Sequence, residues 1–432
     1  MILFLEGAAV MQVVYERCAG VDVGKDVIAV AVRSPGRGGR GRQTVKRTFG
    51  TFYGVLAEAA RWLTAQGVTH VAMESTGVYS MPVLHALVEH GDFAQVLVCN
   101  PGHIKNVPGR KTDLADAEWL AQLLECGLLR GSFIPPAQIK AARDILRYRR
   151  KMVGSRTSEY QRLGAVLQDA GIKLDSVASS ITTKSGRLMI EALIDGERRP
   201  VVLADLALGR MRSKIRSLES ALQGRFDAHH ALMCRLHLDH IDALEVMIAK
   251  LDAQIETMMT PFHTQRQLLT TLTGVAELAA AEVISEIGVT PAEYFPTAGH
   301  LASWAGICPG NHESAGKRYS GARRPGNTHL QAILVEAAWA AVRHPGYLQA
   351  LYHRHVMKSG GYRNPKARSK AIIVVAHQML VIIWHMLTTD QPYHDLGADY
   401  YTTRLDPDRE TRRLVAQLNA LGHKVTLGPT AA

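Results

Sequence analysis

Apolar positions along residues 18–125 switch between two periods. CAGVDV (18–23) and VIAVAV (27–32) are nearly unbroken apolar runs joined by a GKD turn, and QTVKRTF (43–49) alternates after a Gly/Arg loop at 34–42. These three stretches read as an antiparallel meander. Beyond them FYGVLAEAARWLTAQG has helical spacing, VTHVAMES is a strand, YSMPVLHALVEHG a helix, AQVLVCN a strand and DLADAEWLAQLLECG a helix. The resulting order is β-β-β-α-β-α-β-α.

From 139 to 262 long helical stretches replace the strand pattern, with a break near SSITTKSG. Ile241, Leu244, Ile248, Leu251, Ile255 and Met258 recur at alternating spacings of three and four, a coiled-coil seam that suits a second copy or the chain's own helices. LTTLTGVAELAAAEVISEIG predicts two short helices around Gly274, a helix-hairpin-helix whose turn offers backbone N–H groups to phosphate. A basic, glycine-rich loop at 309–326 precedes helices at about 327–343, 346–358 and 365–388. The stretch IIVVAHQMLVIIW, broken by His377 and Gln378, falls short of the roughly 20 apolar residues of a membrane span and reads as a buried helix.

These elements predict an α/β, ribonuclease H-like domain at 15–135 and a helical, coiled-coil region at 136–265. A mainly helical domain at 266–390 and a polar, peripheral tail at 391–432 complete the chain. The opening MILFLEGAAVM has no basic leader and contains Glu6, so it is not read as a signal peptide.

Charge narrows the choice of partner. Lys and Arg total 50 against 39 Asp and Glu, a net charge of +11, which favours a polyanion such as nucleic acid over a membrane. Arg143, Arg147, Arg149, Arg150, Lys151, Arg156 and Arg162 crowd one helix and predict a phosphate track; Arg33, Arg37, Arg40, Arg42, Lys46 and Arg47 form a second patch. Five isolated cysteines make neither a zinc motif nor a disulfide framework, which fits a reducing cytoplasm.

Four carboxylates sit where the predicted elements end. Asp22 lies in the first strand, Glu74 closes VTHVAMES, and Asp113 and Asp116 share a helix face at i and i+3. Helix capping and the helix dipole account for acids in a first turn, and a turn-flanking strand residue accounts for Asp22. If the four converge, however, their mutual repulsion calls for Mg²⁺, with Mn²⁺ as a substitute, and a pair of such ions suits phosphodiester transfer. Ser314 stands in CPGNHESAGKRYSGARRPGN beside Lys317, Arg318, Arg323 and Arg324, where it reads either as a turn residue or as a nucleophile toward phosphorus.

GVDVGKD (20–26), MESTGVY (73–79), NPGHIKNVPGRKTDLADAEWLAQLL (100–124), LASWAGICPGNHESAGKRYSG and RRPGNTHLQAILVEAA resemble the DEDD-type insertion-sequence transposases, also described as bridge-RNA-guided serine recombinases. The similarity runs from about 15 to 390. It implies a Mg²⁺ site built from Asp22, Glu74, Asp113 and Asp116 and a serine nucleophile, Ser314, that forms a covalent phosphoserine link to DNA. It also implies a structured non-coding guide RNA pairing with donor and target DNA, assembly as a dimer or tetramer, and a cytoplasmic, nucleoid-associated protein. Two departures stand out: Ser314 is followed by Ala315 before Gly316, and Gln331 replaces an arginine expected to touch phosphate.

Other chemistries remain open at this stage. A resolvase-type Mg²⁺ endonuclease needs the carboxylates but not Ser314. A silent nucleic-acid-binding protein needs neither. An actin-like ATPase requires a second DxG turn and a glycine pair for adenosine, and neither stands at a suitable place.

Overall fold

A computed structural model describes residues 12–36, 41–100, 113–310, 312–321, 323, 325–401, 403–404 and 407–428. Arg37, Arg40, Arg324, the opening eleven residues and the PGHIKNVPGRKT segment after Asn100 lie outside the described residues. The chain divides into two compact units, Met1–Ile134 and Pro135–Ala432.

The first unit is an α/β layer structure. Strands β1 (Cys18–Val23), β2 (Val27–Pro35) and β3 (Arg42–Gly50) form the meander; α1 (Tyr53–Ala65), β4 (His70–Glu74), α2 (Ser80–His90), β5 (Gln95–Cys99) and α3 (Asp113–Glu125) follow. The sheet order is β3-β2-β1-β4-β5, antiparallel through the meander and parallel from β1 to β4 and β5. Hydrophobic alternation places Ala19, Val21 and Val23 with Val30, Val71 and Met73 in one core, against Leu56, Ala60 and Leu63 of α1 and Val83 and Leu87 of α2. Gly20 and Asp22 occupy the alternate positions of β1.

On that second face lies α3. Its Ala117 and Ala121 pack on Ala29 and Ala31 of β2. A Cβ built on Gly20 would lie 2.1 Å from the Ala117 carbonyl oxygen, so the helix backbone rides almost directly on the strand. Ionic contacts fix its far end: the buried Glu125 carboxylate accepts from Arg33 at 2.9 Å and from Arg42, and Glu118 pairs with Lys46. Arg47 stacks its guanidinium over Phe49 at 4.6 Å. The described part of the second basic patch is therefore spent on holding this helix and on an aromatic contact.

The second unit is mostly helical. Its long helices α4 (Ala137–Asp169) and α8 (Ala228–Met259) enclose α5 (Lys184–Ile194), α6 (Pro200–Asp205) and α7 (Ile215–Ala221) in sequence. Cross-pairs Arg149–Asp252, Tyr160–Glu245, Glu159–His237 and Asp169–His230 show that α4 and α8 run antiparallel. The apolar stripe expected to form a coiled coil is used inside the chain: Ile241 joins Leu163 and Leu167 of α4, and Ile255 joins Ala142 and Leu146. Asp227 starts α8 with a reciprocal capping box to His230.

Helices α9 (His263–Thr270), α10 (Glu277–Ile287) and α11 (Ala298–Ala305) lead to a two-stranded hairpin, β6 (His312–Ser314) and β7 (Lys317–Ser320). Then come α12 (Thr328–Ala341), α13 (Tyr347–Lys358), α14 (Pro365–Thr389) and α15 (Pro407–Ala420). A Cβ on Gly274, in the turn between α9 and α10, would lie 2.4 Å from the Ala337 carbonyl oxygen. That turn packs on α12 instead of standing open for a phosphate.

Helix α14 is long and apolar enough to cross a bilayer by length and composition. It buries Ile372, Val375, Met379, Leu380 and Ile383 against neighbouring helices of its own unit, as a core helix does. The segment after it also differs from the peripheral tail expected. Tyr393 N–H donates to Thr271 Oγ1 at 2.9 Å, Asp395 accepts from the first N–H of α13 at Tyr347, and Tyr401 stacks on Tyr347. Aromatic residues hold it down where a polarity count saw only solvent.

Candidate functional site

The parallel pairing of β1 with β4 sets Cys18 beside His70 and Val21 beside Met73. Asp22 and Glu74 are each the next residue after that last couple, so both stand at the carboxyl ends of neighbouring central strands. Gly20, two residues before Asp22, sits under Ala117, one residue after Asp116. Because Asp113 and Asp116 occupy the first described turn of α3, the close seating of that helix turns them toward the same strand ends.

Electrostatics register the convergence. Asp22 is half-buried, and desolvation together with the negative charges of Glu74, Asp113 and Asp116 pushes its carboxyl up to about 6. Among the described residues no Lys, Arg or His forms an ion pair with any of the four. Nor are three His, Cys, Asp or Glu side chains gathered there tightly enough to ligate one ion as they stand. Four uncompensated like charges repel, and an all-oxygen, partly desolvated donor set of this kind matches a hard divalent cation. On donor chemistry the four residues fit Mg²⁺ or Mn²⁺.

Ser314 is the last residue of β6 and pairs with Lys317 across a two-residue turn. Ala315 and Gly316 have φ of 49° and 75°, the left-handed pair that a tight hairpin with right-twisted strands requires. Glycine accepts such a φ freely, whereas alanine does so at a cost of roughly 1 kcal/mol. The serine is therefore placed beside a strained turn. Gly-rich sequence suggested a coil; the alternation HES/KRYS about a small pair was the available hairpin signal.

The cations of α4 occupy different surroundings from those a phosphate track would give. Arg147 donates to both oxygens of the buried Glu286, each at 2.7 Å. Arg143 donates to the Ser285 and Glu286 carbonyls. Arg149 pairs with Asp252, and Arg150 with Glu282 and Glu336. Among the described residues Lys151 has no carboxylate partner; it lines an open cleft with Arg147, Tyr148, Arg150, Thr328 and His329. In the loop, Lys317 and Arg323 are exposed, and Arg323 reaches Gln331 Oε1 at 3.4 Å. The backbone of Arg318 lies in β7.

Comparison with known proteins places the chain in a family. Residues 19–172 match an IS110-type DEDD family described as Transposase, and residues 266–353 match the Transposase IS116/IS110/IS902 family. The transposase for insertion sequence element IS1111A of Coxiella burnetii is 24% identical over 310 residues, 68% of this chain and 71% of that one. The putative transposase y4qE of Sinorhizobium fredii is 25% identical over 340 residues, 75% of this chain and 71% of its own length. A protein of insertion element IS110 from Streptomyces coelicolor is 29% identical over 139 residues, 32% of each chain. The first match contains Asp22, Glu74, Asp113 and Asp116 and the second contains Ser314 and Gln331, and between them they span more than half of the sequence: the chain belongs to the IS110-type family of DNA transposases.

Proposed function

We propose that this transposase cuts and rejoins DNA by transesterification at Ser314, assisted by a divalent-metal site of Asp22, Glu74, Asp113 and Asp116. The observation that supports the reading is the placing of Asp22 and Glu74 at the carboxyl ends of the paired strands β1 and β4, with the charges of Glu74, Asp113 and Asp116 helping burial to push Asp22 up to about 6. The strand order β3-β2-β1-β4-β5 supports a ribonuclease H/resolvase-like domain as their scaffold. Mg²⁺ held there would act as a Lewis acid on a phosphoryl oxygen and stabilise charge on the reacting oxygens.

The chain's own groups have separable tasks. Asp22 and Glu74 are fixed by strand pairing, whereas Asp113 and Asp116 depend on the seating of α3. Ser314 Oγ forms a bond to the scissile phosphorus as the bond from phosphorus to the leaving sugar oxygen breaks. The serine loses a proton and the leaving oxygen takes one up. Rejoining reverses the exchange with a new sugar hydroxyl, so the number of phosphodiester bonds is conserved and no nucleotide energy source is required. Exposed Lys317, at the start of β7, and Arg323, beyond its end, suit backbone phosphates.

The choice of DNA sites is assigned to a structured non-coding RNA encoded by the same element, with the protein acting as a dimer or tetramer. Both follow from the family resemblance. Replacing Ser314 with Ala tests the chemistry: strand cleavage and a covalent protein–DNA adduct should both disappear. Cleavage that persists without an adduct would leave a metal-dependent endonuclease. Asp116→Asn should abolish divalent-dependent cleavage while far-ultraviolet circular dichroism stays unchanged. Survival of activity would reduce the acids of α3 to helix-dipole partners worth about 0.3–1 kcal/mol.

A further inference from the structure

The hairpin carrying Ser314 belongs to a long excursion between α11 and α12, and its two ends are tied together. Helix α11 ends at Gly306, with φ of 71°. Gly326, on the returning strand of chain, lies against that helix end so closely that a Cβ would stand 2.5 Å from the Ala305 carbonyl oxygen and the Gly306 nitrogen. One turn into α12, Gln331 Nε2 donates to the Ala305 carbonyl at 2.7 Å and approaches that of Gly306 at 3.4 Å. The last carbonyls of a helix have no intrahelical donor, and Gln331 supplies one. Its oxygen meanwhile accepts from Arg323, a residue of the excursion itself.

A second tie anchors the same stem to the core. Asn327 Oδ1 caps α12 by accepting from Leu330 N–H at 3.1 Å, and its Nδ2 donates to Glu286 Oε2 at 2.6 Å. Glu286 is 1% exposed and gripped by Arg147. The stem is thus fixed on both sides while the hairpin tip extends from it.

We infer that Gln331 is a positioning residue for the serine-bearing hairpin: its amide closes the stem by donating to the Ala305 and Gly306 carbonyls and steadies the loop by accepting from Arg323. This rests on the serine reading above for its catalytic consequence, but the closure itself does not. An amide offers donor and acceptor together, which neither Arg nor Glu does. The substitution that looked like a lost phosphate contact is a structural link of this chain's own.

Three full-length variants separate the alternatives. Gln331→Leu keeps bulk without hydrogen bonding, Gln331→Glu presents only acceptors to two carbonyls, and Gln331→Arg restores donors. Amide hydrogen exchange across residues 312–320 should rise about five- to tenfold in the Leu and Glu variants, the effect of losing one good hydrogen bond, with little change in the global unfolding midpoint. In adduct formation on DNA, kcat should fall by about the same factor or more while KM for DNA stays within about twofold, because the loss is in orientation. Gln331→Arg should fall between the parent and the Leu variant in both readouts, because it keeps donors for the two carbonyls but loses the acceptor for Arg323 and sets a like charge against it.

Unchanged hairpin exchange in the Leu and Glu variants overturns the inference. So does an Arg variant whose only effect is a lower KM for DNA, the signature of a phosphate contact. Adduct formation that survives Ser314→Ala overturns the serine reading instead, and hairpin exchange still reports on the clamp.

Discussion

Arg147, from the wall of an open cleft, meets the buried Glu286 through two parallel hydrogen bonds of 2.7 Å. Burial alone would raise the Glu286 carboxyl, yet the bonds from Arg147 and Asn327 and the charge of Arg143 hold it below its ordinary 4.5. A depressed carboxyl contributes stability above the unfolded-state value and loses it as pH falls, so this network should weaken below about pH 4.5. Arg147→Ala strands a buried charge and should cost about 2–3 kcal/mol in urea unfolding, below the roughly 3–5 kcal/mol of a fully buried pair because Arg147 is itself part-exposed and Asn327 and Arg143 remain. Lys151→Ala should instead leave stability unchanged and lower the salt slope of DNA binding by about one. A large loss of salt slope in the Arg147 variant, with no loss of stability, would return that arginine to the phosphate track.

Gly20→Ala tests how α3 is seated. With Ala117 and Ala121 backbone in the way, the added methyl must lift the helix, at about 1–3 kcal/mol of stability. The same displacement carries Asp113 and Asp116 away from Asp22. Mn²⁺ affinity measured by calorimetry on the folded variant should therefore fall along with stability. Unaltered metal affinity would mean that the site is not set by this contact.

Asp22 predicts a distinctive pH response. Its folded carboxyl lies near 6, above the ordinary 3.8, so it binds a proton more tightly when folded. Stability from this group is present below about pH 4 and declines as pH rises toward and through 6. Asp22→Asn should remove that decline, and at pH 7 the variant should melt no lower than the parent in the absence of divalent cations. Added Mg²⁺ should stabilise the parent and not the variant. A variant that melts lower at pH 7 would show that the carboxylate is held by favourable contacts.

Ala315→Gly probes the turn after the serine. Removing the methyl at φ 49° should stabilise the hairpin by roughly 1 kcal/mol and slow amide exchange in β6 and β7. Faster exchange would mean that the gain in unfolded-chain freedom outweighs the relief of strain.

The first unit was legible because its strands and helices announce themselves by period: CAGVDV is β1 to the residue, and DLADAEWLAQLLE is α3. The neighbourhood of Asp22 and Glu74 followed from element order. What the sequence hid was the reason α3 sits where it does, since Gly20 with Ala29, Ala31, Ala117 and Ala121 looks like weak propensity, not close packing. Arginines on α4 were counted as free charge because their partners Glu282 and Glu286 lie over 130 positions away and read as part of an amphipathic helix. Seam residues such as Ile248 gave the helix but not its partner, which periodicity alone never names.

Tyr347 is at once the first residue of α13 and the landing point for the chain beyond α14, where Asp395 receives its N–H and Tyr400 and Tyr401 flank its ring. A shortened version of this enzyme ending near 390 would look harmless on a hydropathy plot. It would strip an aromatic clasp from the helical unit and leave α13 to fray from its leading end, so the compact boundary for engineering lies past Tyr401.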